Sequence, residues 1–234
     1  MKFVIDKKIF GRFPGLHIGV VIARGIDNQG EIEEVEKKLR EEEKRIRKEY
    51  NAQTLSQHPK IEAWQKAYIA FGVKPKEHRS SVENLYRAVL EGRDVRHINK
   101  LVDIYNFISL KYMLPVGGED LDKVKGDIVL TFAGPNEPPV LLLGDKDPRP
   151  PHEGEVIYKD DISAICRRWN WREAERTKLT EDTKNAILVI EGLQPVTRED
   201  IGKGTEELKE LVEKFCGESF TYDVLDKNNT EIKT

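Results

Sequence analysis

The chain has 234 residues, 35% of them charged, and carries a net charge of −3. This length is enough to bury a core, in one domain with embellishments or in two small domains. The slightly acidic balance excludes a global basic field that would draw the protein onto nucleic acid. Any contact with RNA would therefore use a local patch, and the binding would be weak and salt-sensitive.

Cysteine and histidine usage narrows the class of protein further. Cys166 and Cys216 are the only cysteines. They are too few for a disulfide framework or a cysteine-rich zinc site, and we expect both to be buried. The five histidines lack the spacing of a metal pair, so we predict no metal and no cofactor. No apolar run resembles a signal peptide or a membrane span, which predicts a cytoplasmic protein.

The first half of the chain is predicted to contain two strands and then a block of helices. Residues 2–5 form the first strand, and residues 16–23 form a β-branched apolar run typical of a buried central strand. The first helix carries balanced Glu, Lys and Arg, which indicates a solvated face rather than a binding tail. The helices are predicted over residues 29–56, 57–72, from residue 80 onward, and 98–112.

The second half is predicted to alternate strands with turns. Gly117 and Gly118 indicate a sharp turn, and the prolines of residues 133–154 indicate a hairpin and a rigid loop. A helix is expected over residues 197–215, followed by a polar tail that should fray. The strands are predicted at residues 127–132, 140–143, 155–158 and 186–190.

Strands therefore bracket a helical block along the chain. This order predicts an α+β fold with a predominantly antiparallel β core, either a sandwich or a partly open barrel, and with flanking helices. The sequence contains no internal repeat. We treat residues 1–234 as a single domain.

A segment rich in tryptophan and arginine is the strongest candidate for a binding surface. Residues 166–178 contain Trp169 and Trp171, interleaved with cations that include Arg167, Arg168 and Arg172. Tryptophan is costly to expose to water, and arginine suits phosphate, carboxylate and stacked aromatic partners. The segment is either one wall of a binding site or an arginine-rich knot that holds a core together.

Three polar residues in the helical block are further candidates. Arg79 precedes a helix N-terminus, where it would help to hold an anion or would form a structural ion pair. Asn99 and Asp103 share the predicted helix over residues 98–112. They would either line a pocket or make the commoner hydrogen bonds between a helix and a loop.

Two later positions also suit a pocket. Gly117 and Gly118 allow a ligand to approach the backbone closely, or serve only a tight turn. Glu191 follows the apolar strand of residues 186–190. There its carboxylate either faces a pocket as a polar anchor or base, or points to solvent.

Four segments together resemble a known family. The chain is similar to the B3/B4 domain of the bacterial-type phenylalanyl-tRNA synthetase β chain, here as a free-standing unit. The likeness covers residues 60–195, flanked by N-terminal strands and a charged helix in residues 1–59 and by a helix and tail in residues 196–234. The segments are residues 78–85, 98–106, 114–122 and 176–183.

The resemblance implies an editing activity. In the synthetase this domain hydrolyses tyrosine that is wrongly esterified to the phenylalanine tRNA. A family glutamate that contacts the noncognate side chain matches Glu191. The family has a histidine where this chain has Gly117, and a glycine-rich segment where this chain has residues 169–172. Both departures favour a ligand other than tyrosine.

The sequence therefore predicts a trans-acting aminoacyl-tRNA editing protein, with an ester hydrolase (deacylase) activity that uses Glu191 as its catalytic residue. The predicted partner is the 3′ end of an aminoacyl-tRNA or other RNA. A non-catalytic RNA-binding module and a binding protein for a free amino acid are the alternatives. The predicted substrate-binding residues are Arg79, Asn99, Asp103, Gly117, Gly118, Arg167, Arg168, Trp169, Trp171 and Arg172.

Overall fold

The computed structural model describes residues 1–217 and 219–234, which form helices packed on two β-sheets. None of the helices in this part of the chain is both long and apolar enough to cross a membrane. The helices are α1 (Lys7–Arg12), α2 (Glu33–Glu49), α3 (Pro59–Ala70), α4 (Ser81–Leu90), α5 (Lys100–Tyr112) and α6 (Arg198–Cys216). The strands are β1 (Lys2–Ile5), β2 (His17–Arg24), β3 (Val116–Asp120), β4 (Ile128–Phe132), β5 (Val156–Lys159), β6 (Ala164–Arg167), β7 (Arg172–Glu173), β8 (Asn185–Gly192), β9 (Ser219–Leu225) and β10 (Glu231–Lys233).

The strands pair into one six-stranded and one four-stranded sheet. The strand orders are β10-β1-β4-β5-β6-β7 and β3-β8-β2-β9. Strands β1 and β4 pair in parallel, and the other neighbours are antiparallel. The predicted α+β class, with a mainly antiparallel core and flanking helices, is confirmed.

Strand β2 is the central strand of the smaller sheet. It pairs with β8 on one side and with β9 on the other, and its residues 18–23 are buried. A strand covered on both faces favours a continuous run of β-branched residues, which is the pattern that predicted it. Since β1 belongs to the larger sheet, the first 25 residues contribute a strand to each sheet.

Three local predictions were wrong. Gly117 and Gly118 do not form a turn but lie in β3, where a side chain at Gly118 would meet the carbonyl oxygen of Ile187 at 2.7 Å. Residues 140–143 make only isolated bridges, through Val140 and Leu142. The C-terminal tail does not fray, because β9 and β10 extend the two sheets.

Helix α6 covers the smaller sheet and packs unusually close to strand β2. The helix begins with a capping box, in which Thr197 and Asp200 each accept a hydrogen bond from the other's backbone. Its buried Thr205 lies so close to β2 that a Cβ atom at Gly19 would be 1.7 Å from the Thr205 Oγ1 atom. Only a glycine at this position lets the helix approach the strand so closely.

We therefore expect the substitution Gly19→Ala to lower the free energy of unfolding by about 1–3 kcal/mol, since it overpacks the contact between helix and sheet. The matched control is Gly11→Ala in helix α1, where a Cβ atom would meet nothing within 4 Å. The control should be neutral or stabilising by up to about 1 kcal/mol. Urea denaturation of both variants measures the difference, and equal stabilities would contradict this packing.

Candidate functional site

A cavity of about 400 Å³ lies between the two sheets, and helices α4 and α5 form part of its wall. Strands of both sheets supply its apolar lining. Such a volume lies toward the small end of the range for ligand pockets, about 300–1,000 Å³. The apolar lining includes Phe3, Val116, Ile128, Ile165, Ile187 and Val189.

Glu191 lies at the buried end of this cavity and is only 1% exposed. Its Oε1 atom accepts hydrogen bonds from the Tyr158 hydroxyl and, at 2.8 Å, from the Trp169 indole. Its Oε2 atom accepts one from the Asn170 amide at 2.7 Å. A carboxylate has about four acceptor positions, so one position on Oε2 remains open. Burial raises the pKa of Glu191, although the three hydrogen bonds oppose that shift.

A turn in left-handed backbone conformation directs Trp169 inward. Arg168 and Trp169 have φ angles of 49° and 67°, a region that favours glycine. The turn is held by a hydrogen bond from the Trp169 backbone N–H to the Val156 carbonyl (2.7 Å) and by another from the Ser81 backbone N–H to the Asn170 carbonyl (3.0 Å). These contacts over-determine a conformation that costs free energy by itself.

Trp171 lies beside the cavity mouth among cations. The Arg168 and Arg172 guanidinium groups lie over its ring, 4.3 and 4.5 Å from the centroid. Trp171 and Arg172 line the cavity and are partly exposed, and Arg172 forms an ion pair with Asp145 at 2.8 Å. The mouth is therefore aromatic and carries positive charge, in contrast to the buried end.

Two further carboxylates line the cavity. Glu119 is 8% exposed, and its pKa is raised well above its usual value by burial and by the nearby Glu173. Burial raises the pKa of Glu173 to about 7. The sequence reasoning missed both residues. The sequence could have indicated Glu119, because Gly117 and Glu119 are two residues apart in one strand and residues at that spacing face the same side.

The family of the chain is shown by its sequence. A family model described as the B3/4 domain matches residues 63–227, which is more than half of the chain. The chain belongs to the B3/4 domain family.

Curated relatives of this B3/4 protein are named phenylalanine–tRNA ligase beta subunit. The relative from Fusobacterium nucleatum is 33% identical over 111 residues, and the one from Bordetella pertussis is 29% identical over 110 residues. Each match covers 47% of this chain and 13% of the relative, so the chain spans only a small part of these longer proteins. A solved N-terminal fragment of the phenylalanyl-tRNA synthetase beta subunit from Pyrococcus horikoshii aligns with a TM-score of 0.46. It is 14% identical, and the alignment covers 98% of this chain and 52% of the fragment.

Within the B3/4 protein, several predicted site residues do converge on the cavity. The structure brings Glu191 together with both glycines of β3 and with the tryptophan-rich turn. Sequence reasoning missed the partners of Glu191, since Tyr158 and Asn170 carry no local signal of a site. The predicted residues that line the cavity are Gly117, Gly118, Trp169, Trp171, Arg172 and Glu191.

Arg167, one of the predicted substrate-binding residues, does not face the cavity. Its guanidinium is 5% exposed and forms a two-pronged ion pair with the buried Glu155, at 2.9 and 2.7 Å. The backbone N–H of Arg168 donates to the same carboxylate. Buried charges need such partners, so Arg167 stabilises the turn from inside. Arg168 does not line the cavity either, because its guanidinium covers the Trp171 ring.

Three residues of the helical block also lie away from the cavity lining. Asn99 caps helix α5 by accepting from the Val102 backbone N–H and donating to the Leu179 carbonyl. Asp103 accepts from the backbone N–H of Ile98 and contacts the His97 ring at 2.5 Å. The Arg79 guanidinium lies 3.6 Å from the buried Glu83 carboxylate. All three serve helix termini and ion pairs rather than a pocket wall.

Trp169 lines the buried end but cannot stack on an RNA base. It is 0% exposed, and its ring packs edgewise against Phe13 and Trp64 at centroid distances of 4.8 and 5.0 Å. Stacking requires a ring face that is open to the nucleic acid. The Trp169 ring is therefore closed to an RNA base.

The substitution Arg167→Met should lower the free energy of unfolding by about 3–5 kcal/mol, because it leaves the Glu155 carboxylate buried and unpaired. The matched control is Arg172→Met, whose half-exposed pair with Asp145 should contribute less than about 1 kcal/mol. Denaturant unfolding measures both. A loss below about 1 kcal/mol for Arg167→Met, like that expected for the control, would show that Arg167 is not a structural residue.

Stability should also depend on pH through Glu173. Its pKa is raised from 4.5 to about 7, so its contribution to stability is fully present below about pH 4.5 and is lost as the pH rises toward 7. Relative to Glu173→Gln, the wild-type protein should lose up to about 3 kcal/mol across that window. The control Glu175→Gln removes a carboxylate that pairs with Lys178 outside the cavity. Parallel stability curves for wild type and Glu173→Gln, from urea titrations at several pH values, would contradict this electrostatic assignment.

Proposed function

We propose that this B3/4 protein acts in trans on aminoacyl-tRNA, binding the aminoacyl group in the cavity and hydrolysing its ester. The observation that carries the proposal is a small cavity whose buried end presents, among the described residues, one open carboxylate acceptor, on Glu191. A cavity of about 400 Å³ suits an amino-acid-sized group inside, with the rest of the tRNA outside.

The charges at the mouth fit that orientation. Arg168 and Arg172 surround Trp171, where the terminal nucleotide of a tRNA would approach. Arginine suits phosphate oxygens because its guanidinium is planar and presents several donors. Since these are local cations on an acidic chain, binding should weaken as salt is raised.

Hydrolysis of an aminoacyl ester demands little of the protein. The water oxygen bonds to the carbonyl carbon, the bond to the ribose oxygen breaks, and that oxygen takes a proton from the water. Positioning of the ester and the water supplies much of the rate enhancement in such a site. Ser81 and Asn106 line the cavity, and the buried Ser81 Oγ atom makes no hydrogen bond among the described residues. It is available to a ligand or to the attacking water.

Family membership supports a role connected with tRNA. The curated relatives carry the name of a phenylalanine–tRNA ligase subunit, and they are much longer than this chain. A free-standing RNA-binding role based on two stacking tryptophans has weaker support, because Trp169 is buried in the aromatic core.

The test is release of amino acid from a panel of mischarged tRNAs at low salt. We expect the wild-type protein to accelerate release for at least one amino acid. The variant Ala88→Phe should lose roughly tenfold or more, because it places a ring in a cavity-lining position on α4. Ala63→Phe on α3 is the control, since Ala63 is also partly buried but does not line the cavity.

Release that never exceeds the spontaneous rate for any charged tRNA would refute the hydrolase. Equal activity in the two phenylalanine variants would show that catalysis occurs elsewhere. Circular dichroism of both variants checks that they remain folded.

A further inference from the structure

We propose that Glu119 and Glu173 form a subsite for a primary ammonium group of the ligand. This inference rests on the cavity of the proposed function and deepens it, because it assigns a charge to part of the substrate. The ammonium is either the α-amino group of an aminoacyl ester or the side-chain amine of a basic residue. Both present the same three N–H donors.

The two carboxylates meet where the sheets approach each other at their edges. Strand β3 is an edge of the smaller sheet and β7 an edge of the larger one. The Gly118 backbone N–H donates to the Glu173 Oε1 atom at 3.4 Å. A Cβ atom at Gly117 would lie 2.9 Å from the same oxygen, so the Glu173 carboxylate uses the space left by the missing side chain.

Glu119 is a second buried acceptor in this part of the cavity, beside the Thr177 hydroxyl, which lowers the pKa of Glu119. Its Oε2 atom is buried and has no hydrogen-bond partner among the described residues, and the whole residue is 92% buried. An unpaired buried carboxylate oxygen is costly in a folded protein and often marks a place for a ligand. Glu119 lines the same cavity as Glu173.

The cations nearby are engaged elsewhere. Arg176 lowers the pKa of Glu119, but its guanidinium donates to Asp160 at 2.8 Å and to the Lys123 carbonyl. Arg172 pairs with Asp145 at the mouth. Among the described residues, neither Glu119 nor Glu173 takes part in an ion pair. Neither carboxylate therefore has a cationic partner among the described residues, and the raised pKa values of both favour their protonated forms until a cation binds.

The other titratable groups that face the pair cannot neutralise it. Tyr105 and Cys166 line the cavity. Their pKa values are raised well above the usual values, mainly by burial and secondly by the nearby carboxylates. Both therefore stay uncharged at neutral pH. A ligand cation would favour ionisation of the two carboxylates and would offer a donor to the Glu119 Oε2 atom, whereas an anion would oppose that ionisation.

Three probes of equal chain length separate the two sources of the ammonium without using an ester. Norleucinamide carries only the α-ammonium, Nα-acetyl-lysinamide carries only the side-chain ammonium, and N-acetylnorleucinamide is neutral. Calorimetric titration at pH 7 in the presence of EDTA measures their affinities, because the α-ammonium of norleucinamide loses its proton at about pH 8. We expect at least one cationic probe to bind roughly tenfold or more tightly than the neutral probe.

The preference should disappear in the double variant Glu119→Gln/Glu173→Gln and should weaken in Glu173→Gln alone. It should persist in Glu175→Gln, whose carboxylate lies outside the cavity. Three results would overturn the subsite. The first is that the cationic probes bind no more tightly than the neutral probe, and the second is that none of the three probes binds at millimolar concentration. The third such result is an unchanged preference in both glutamine variants.

This outcome is separable from the proposed function. Preference for an ammonium probe without any ester hydrolysis leaves the subsite and removes the deacylase. Hydrolysis without that preference does the reverse.

Discussion

The hydrogen bond between Tyr158 and Glu191 joins the two sheets at the buried end of the cavity. Tyr158 belongs to β5 of the larger sheet and Glu191 to β8 of the smaller one. A carboxylate so deeply buried is tolerated only because it also accepts from Trp169 and Asn170. The left-handed turn at residues 168 and 169 positions those two donors, and the buried ion pair between Arg167 and Glu155 stabilises the turn. Fold and site therefore depend on the same few contacts.

Charge is sorted by depth around this anchor. The guanidinium groups of Arg168 and Arg172 lie over the Trp171 ring at the mouth. The carboxylates of Glu119, Glu173 and Glu191 line the cavity inside. Low polarity in the interior strengthens interactions with these groups and raises their pKa values. A ligand that carries phosphates outside and an ammonium inside would complement both regions. The apolar walls between them would accept a hydrocarbon side chain.

The spacing of apolar residues predicted helices and strands well where burial of the element sets the sequence pattern. The β-branched run of β2 indicated a central strand, and the spacing of apolar residues over 98–112 indicated α5 to within two residues. Predictions failed where pairing partners lie far away in sequence. A frayed tail is predicted where β9 lies, because its partner, β2, precedes it by about 200 residues. Gly117 and Gly118 predict a turn, whereas the close approach of β8 explains Gly118 and the Glu173 carboxylate occupies the space beside Gly117.

By itself, the sequence determined the α+β class, the central strand and the burial of both cysteines, because these follow from local pattern and composition, and four of its segments carried the resemblance to the B3/4 family. Only the tertiary structure decided which residues of the tryptophan- and arginine-rich segment face inward. Arg167 is a buried structural cation, Trp169 an anchor for Glu191, and Trp171 a residue of the mouth. The sequence of this segment could not predict which side chains face inward. Their burial and hydrogen bonds depend on partners such as Glu155 and Glu191, which only folding brings into contact.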